Sequence, residues 1–183
     1  MKRRRTTLLA IPVTLFSGVL LLAMTVGGCT HGLEPILEQP GFGGTIHFSS
    51  PWPPDSFNNV RVVAFNNYPP QNIINEILGG LAKVYPPITG SGLQTPADSV
   101  SYSFTLDSAT VFKYVAVVMQ DGSNIYADWK VIGAYGYSHG AGSPDSVTIP
   151  SNTYVNGINI DVDFANTPPT PPGIVASAAS KQN

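Results

Sequence analysis

The sequence predicts an all-β fold, an antiparallel two-sheet β-sandwich of about seven strands with at most one short helix. Glycine and proline are abundant, with 18 and 17 copies among 183 residues, and they separate many short apolar runs. Apolar and polar residues alternate over residues 100–107 and 158–164, as in strands with one buried face. Two packed sheets bury such faces most simply, so the sequence favours a sandwich over a single sheet.

The first two predicted strands cover residues 43–49 and 60–65. In the first strand, Ile46 and Phe48 share one face, and polar residues lie between them. The second strand, with the sequence VRVVAF, is apolar on both faces apart from Arg61, which indicates a position inside a sheet.

The segment 67–99 is harder to interpret. Its isoleucines and leucines follow helical spacing between residues 73 and 81, but Gly79 and Gly80 would cost a helix about 1 kcal/mol each. Two interpretations stay open: one short helix at about 71–78, or a hairpin insertion. Residues 88–98 are expected to form a loop.

Five further strands complete the predicted sandwich. They are expected at residues 100–106, 112–120, 129–135, 147–150 and 158–164. The strand at 112–120 is apolar on both faces and is therefore expected to be central.

The chain divides into four predicted regions. These are a signal peptide at 1–28, a tether at 29–42, the β-sandwich domain at 43–166 and a Pro-rich disordered tail at 167–183.

The first 29 residues have the pattern of an export signal. Lys2 and the three arginines that follow it precede an apolar run over residues 8–26, the order found in secretory signals. The run ends in Val26-Gly27-Gly28-Cys29, which resembles the lipobox of bacterial lipoproteins. The resemblance implies cleavage before Cys29 and attachment of diacylglycerol to its thiol, so that the mature chain carries fatty chains such as palmitate. An uncut transmembrane anchor is the alternative, because the run is about long enough to span a bilayer.

Four segments carry a second resemblance. Gly-x-Ile-x-Phe at 44–48, Val-Arg-Val-Val-Ala-Phe at 60–65, Tyr-Ser-Phe-x-Leu at 102–106 and Tyr-Val-Ala-Val at 114–117 are similar to the carboxypeptidase regulatory-like, or prealbumin-like, β-sandwich. Small envelope lipoproteins that carry such domains have a similar layout. The resemblance implies the fold and no activity.

Charge and cysteine content exclude several functions. Removing Lys2 and the arginines at 3–5 from nine basic residues leaves five, against eleven acidic residues, so the mature chain carries a net charge of −6. This charge argues against nucleic acid as a partner. With Cys29 as the only cysteine, no internal disulfide is possible. No cofactor is expected.

Residues with catalytic or metal-binding potential do not form a convincing set. Residues 136–140 match G-x-S-x-G, with Ser138 and His139 inside it, but no histidine follows and no helix is predicted after it. A glycine-rich hairpin loop is the favoured interpretation. His31, His47 and His139 lack metal-ligand spacing. Asp161 and Asp163 are expected on the solvent-facing side of a strand. The chain is therefore predicted not to be an enzyme, with a hydrolase as a distant alternative.

Aromatic residues in Pro- and Gly-rich loops are the predicted ligand-binding residues. They are Trp52, Trp129, Tyr135 and Tyr137. Exposed rings on rigid loops can stack on sugars or anchor a partner protein, so a glycan or an envelope protein is the expected ligand. The alternative is that the tryptophans cap the ends of the core, in a purely structural envelope lipoprotein.

The predicted location is the cell envelope, with the membrane contacted through the N-terminal lipid. Thr30 follows Cys29, and the absence of aspartate there resembles the address of outer-membrane lipoproteins. A domain that faces the periplasm or the cell surface is expected.

Overall fold

The computed structural model describes residues 38–54, 59–124, 128–138 and 141–171. Within them lie twelve strands and one short helix. The strands are β1 (Gly41–Phe48), β2 (Val60–Phe65), β3 (Ala82–Tyr85), β4 (Ser99–Thr105), β5 (Thr110–Phe112), β6 (Tyr114–Gln120), β7 (Trp129–Ala134), β8 (Tyr137–Ser138), β9 (Ala141–Gly142), β10 (Val147–Ile149), β11 (Tyr154–Val155) and β12 (Ile160–Val162), and helix α1 (Ile73–Leu78) lies between β2 and β3. The fold is all-β and sandwich-like, as the sequence predicts.

Two four-stranded sheets make up the sandwich. In the sheet that we call sheet 1, β4 runs antiparallel along one edge of β1, while β11 and β12 run parallel to β1 along its other edge. Sheet 2 has the order β3-β2-β6-β7 and is antiparallel throughout. Two smaller pairs, β5 with β10 and β8 with β9, complete the pairing. The parallel pairing of β1 with β11 and β12 was not predicted, because alternation marks a strand but does not give the direction of its neighbour.

The main core lies between the two sheets. Phe42 of β1 is fully buried there, and its ring lies 4.7 Å from Phe104, 5.4 Å from Phe112 and 6.3 Å from Tyr102. The predicted start of the sandwich at residue 43 is therefore corrected to Gly41. A single apolar residue beside Pro40 and Gly41 has no partner in the alternation, so the sequence pattern placed Phe42 in the tether.

A second, smaller core covers the opposite face of sheet 2. It is formed by alternate residues of β2 and β6, by Val131 and Ala134 of β7, and by Ala82 of β3 and Ile73 of α1. The segment 67–99 thus contains the predicted short helix, at Ile73–Leu78, and not a hairpin insertion, because its strand β3 pairs antiparallel with β2, which lies before the segment. Residues 86–98 contain no helix or strand, which agrees with the loop predicted at 88–98.

The predicted strand at 112–120 is divided into two. Phe112 ends β5 and faces the core between the sheets, whereas Tyr114 begins β6 and faces the second core. Between them, the Lys113 N–H donates to the Phe65 carbonyl at 2.9 Å, which ties the turning point to β2. The chain passes here from the small β5/β10 pair into sheet 2.

Gly44 permits the close approach of β1 to the segment that joins β11 and β12. A Cβ atom on Gly44 would lie 2.1 Å from the Ile158 carbonyl oxygen, too close for any side chain. The Ile158 N–H donates to the Gly43 carbonyl at 3.1 Å, and the Thr45 N–H donates to the Asn159 Oδ1 at 2.9 Å. A glycine at position 44 thus lets the interrupted edge strand stay attached to β1.

The ends of the chain are only partly described. Pro168 and Pro171 are buried, so residues 167–171 belong to the domain and not to the predicted tail. Proline rings are apolar, and they can cover a core without forming regular structure. The predicted signal peptide, Cys29, most of the predicted tether and residues 172–183 lie outside the described residues. Within the described part, no helix has the length and apolar character needed to span a membrane.

Candidate ligand groove

An open groove lies on the face of sheet 2 that points away from sheet 1. The alternation of β2 explains its floor: Val60, Val62 and Ala64 face the main core, so Arg61 and Val63 face the other side. Helix α1 lies over this side but covers only part of it. The groove occupies the part that the helix leaves open.

Local signals at both ends of α1 fix its length. Asn72 caps its start, since its side-chain Oδ1 accepts from the Asn75 N–H at 2.9 Å. Gly79 caps its end, and Gly80 adopts a φ of 73°, a left-handed conformation that favours glycine. With six residues, the helix is too short to cover the sheet. Its last residue, Leu78, is 76% exposed.

The groove has a volume of about 290 Å³ and a predominantly apolar lining. Its walls come from α1, from the outer face of sheet 2 and from the loop after β3. The lining residues are Asn59, Arg61, Val63, Ile73, Ile74, Ile77, Leu78, Val84, Ile88, Val118 and Trp129. Ile88 is 50% exposed, so the groove carries large apolar side chains open to solvent on two of its sides.

Arg61 is the one charged residue in this lining, and only 4% of it is exposed. Its guanidinium donates from Nη1 to the Pro86 and Pro87 carbonyls, both at 2.7 Å, and from Nη2 to the Gly90 carbonyl at 2.6 Å. Its Nε donates to the Asn59 Oδ1 at 3.0 Å. Burial lowers the pKa of Arg61, although an arginine stays protonated at neutral pH. Among the described residues, all the oxygens that accept hydrogen bonds from the Arg61 guanidinium are neutral.

The four predicted ligand-binding aromatics do not share one location. Trp129 lines the groove, and Tyr137 packs against the second core on the same face of sheet 2. Trp52 and Tyr135 pack instead against the main core. The Trp52 Nε1 donates to the Ala97 carbonyl at 3.0 Å, so this ring caps the end of the core, which is the alternative that the sequence left open.

A cluster of tyrosines lies at the other end of the same sheet face. The Tyr68 ring lies 5.1 Å from that of Tyr114, and burial together with the neighbouring Tyr68 hydroxyl raises the pKa of Tyr137. The buried Tyr114 hydroxyl has no hydrogen-bond partner, and burial raises the pKa of this phenol well above its ordinary value. Since none of these three rings lines the groove, the cluster is separate from it.

Where the structure describes them, the residues considered for catalysis lie on strands or in a turn. Ser138 is exposed on β8, which pairs with β9 in a hairpin and not in a strand-to-helix elbow. His31 and His139 lie outside the described residues, and His47 is exposed on β1. Asp161 is exposed, and Asp163 closes a turn by accepting from the Ala165 N–H at 2.9 Å.

The search for metal ligands gives no candidate cluster. Among the residues that the structure describes, no group of three or more His, Cys, Asp or Glu side chains could hold a metal ion.

A second concavity, of about 320 Å³, lies on the outer face of sheet 1. Its lining is polar, but two of its polar groups are already engaged within the protein. The Asn159 Oδ1 accepts from the Thr45 N–H, and the Tyr154 hydroxyl lies 2.7 Å from the Ser103 hydroxyl. The groove on sheet 2 is therefore the better candidate.

Sequence reasoning identified Trp129 but missed the rest of the groove. One signal was available, because Arg61 interrupts an otherwise apolar strand whose two faces are both buried. What the pattern did not contain was the position of α1, which depends on tertiary packing and not on spacing along the chain.

Comparisons with family models, with curated proteins and with solved structures find no match to this chain. The resemblance to prealbumin-like domains therefore stays a prediction.

Proposed function

We propose that this chain is a lipid-anchored, non-enzymatic binding module of the cell envelope and that the groove on sheet 2 is its ligand site. The observation that carries the proposal is an open, mostly apolar groove with Trp129, Leu78 and Ile88 in its lining. Apolar grooves with a few polar groups are the usual form of ligand sites. The anchor at Cys29 would hold this groove beside a membrane, in the periplasm or at the cell surface.

Two other functions have weaker support. Glycan binding by a cluster of loop aromatics needs several exposed rings on one surface, whereas the four candidate rings divide between two cores. Hydrolysis by a serine needs an activated nucleophile, and Ser138 lies on a strand that pairs in a hairpin and not at a strand-to-helix elbow. A purely structural lipoprotein is the remaining alternative, and it leaves the groove without a ligand.

Site-specific photo-crosslinking in intact cells tests the proposal. A photoreactive amino acid at Leu78, which is 76% exposed at the groove, is expected to capture a defined envelope component. The matched control is the same substitution at Val111, which is 43% exposed and does not line the groove. Equal and unspecific capture from both positions would reject the groove as the binding site and favour the structural alternative.

A further inference from the structure

We infer that the groove binds a single-chain anionic amphiphile, with the hydrocarbon chain along Ile77, Leu78 and Ile88 and the anionic group beside Arg61. The inference rests on the proposed function, because it names the ligand class of the same site. Three observations lead to it: the apolar walls, the buried cation and the size of the groove.

The apolar walls call for a hydrocarbon. Leu78 and Ile88 are 76% and 50% exposed, and they border the groove from α1 and from the loop after β3. Water contact with such side chains is unfavourable, and covering them releases free energy in proportion to the apolar area removed from water. An acyl chain in the groove would cover both residues and would also contact Trp129.

The buried cation calls for an anion. Arg61 is 4% exposed, and its hydrogen bonds all go to neutral oxygens, three of them backbone carbonyls. A buried charge without a counter-charge carries a desolvation cost that neutral acceptors repay only in part. A guanidinium has five N–H donors, and four hydrogen bonds leave one hydrogen on Nη2 for a further acceptor. A carboxylate or phosphate there would form a charge-assisted hydrogen bond, which is stronger than one to a neutral oxygen.

The size of the groove selects one chain over two. About 290 Å³ is at the lower end of the range, roughly 300–1,000 Å³, that is typical of small-molecule sites. This volume is too small for a two-chain lipid. A lipid anchor at Cys29 would also place the groove beside a membrane, where single-chain anionic lipids are available.

Photoaffinity labelling of the full, lipid-anchored chain in phosphatidylcholine nanodiscs tests the inference. Two probes are compared, a long-chain fatty acid that carries a diazirine and the fatty alcohol of the same chain, which lacks the anionic group. Labelled peptides are located by mass spectrometry. We expect the acid to label peptides that contain groove residues about tenfold more than the alcohol does, the factor that a charge-assisted hydrogen bond supplies.

Two variants assign the labelling to the groove. Leu78→Asp places a carboxylate in the apolar wall and is expected to reduce labelling by the acid at least fivefold, whereas Leu81→Asp, at a position that is 46% exposed and outside the lining, should leave it unchanged. Arg61→Met should bring the acid down to the level of the alcohol. Because Arg61 also ties the loop at 86–90 to β2, folding of this variant is checked by circular dichroism. If the variant does not fold, the comparison of acid and alcohol on the unmodified chain still tests whether the ligand needs an anionic group.

Two outcomes would overturn the inference, and they differ in what they imply for the proposed function. Equal labelling of the groove by acid and alcohol would remove the anionic group from the ligand while leaving an apolar ligand site. Absence of groove labelling by either probe, combined with capture of an envelope protein from Leu78, would assign the groove to a protein partner. If neither probe labels the groove and Leu78 captures no envelope protein, the groove is not a binding site, and the proposed function is rejected as well.

Discussion

Truncation of Phe42 to alanine tests whether the strand β1 begins before residue 43. The ring is fully buried and packs on Phe104 at 4.7 Å, with Phe112 and Tyr102 close by. Replacing a buried phenylalanine by alanine costs roughly 3–5 kcal/mol, and the loss of a stacked partner places this site in the upper part of that range. We expect a decrease of about 4 kcal/mol in the free energy of unfolding, a large share of the 5–15 kcal/mol typical of a domain.

Urea unfolding followed by far-UV circular dichroism measures this loss. With a slope near 2 kcal/mol per M, the midpoint should fall by about 2 M. The control is Val111→Ala, at a residue that is 43% exposed, and its effect should stay within about 0.5 kcal/mol. A loss below about 1 kcal/mol for Phe42→Ala would refute the burial of this ring and return residues 41 and 42 to the tether.

Three further predictions concern two buried tyrosines and Gly44. Tyr114→Phe should leave the free energy of unfolding unchanged or raise it by up to about 1 kcal/mol, because it removes a buried hydroxyl without a partner; thermal unfolding measures the change. Burial raises the pKa of Tyr102 and of Tyr114, so the contribution of each tyrosine to the free energy of unfolding is complete below about pH 10. Above that pH, the free energy of unfolding should fall by roughly 1.4 kcal/mol per pH unit for each tyrosine, and urea unfolding at alkaline pH measures the slope. Gly44→Ala should cost about 1–3 kcal/mol in urea unfolding, because its Cβ would collide with the Ile158 carbonyl.

Each of these predictions has a control and a contradicting result. A loss of more than 1 kcal/mol in Tyr114→Phe would mean that the hydroxyl has a partner. The double variant Tyr102→Phe/Tyr114→Phe should show a flatter alkaline profile, and a profile as steep as that of the unmodified chain would assign the effect to other groups. Gly90→Ala is the control for Gly44, since its Cβ would meet only the Pro87 carbonyl, at 3.6 Å. Equal costs at the two glycines would contradict the close approach of β1 to Ile158.

The sequence predicts most of the fold because alternation is a local signal. The strands at 60–65 and 100–106 correspond to β2 and to β4 at Ser99–Thr105. The two alternating segments, 100–106 and 158–164, form β4 and β12 of the same sheet and not opposite walls of the core. Two-residue strands such as β8 and β11 could not be predicted, since two residues do not define an alternation. The start of β1 at Gly41 was missed for a related reason, because the burial of Phe42 depends on neighbours from β4 and β5 that are distant in sequence.

The candidate site was predicted less well than the fold. Choosing aromatics in Pro- and Gly-rich loops selected Trp129, which lines the groove, but it also selected Trp52, whose ring is fixed against the core by its hydrogen bond to the Ala97 carbonyl. Composition cannot separate these two cases, because both tryptophans have polar or Pro-rich neighbours. The charge of Arg61 within VRVVAF was the stronger signal, since a cation in a buried strand needs a specific environment.

The mass of the N-terminal peptide from the membrane-purified protein tests most directly the claim on which location and function both depend, that Cys29 carries the anchor. The predicted result is a peptide that begins at Cys29, lacks residues 1–28 and carries diacylglycerol on the sulfur. A peptide that begins at Met1 with an unmodified thiol would contradict the anchor and, with it, the placement of the groove beside a membrane.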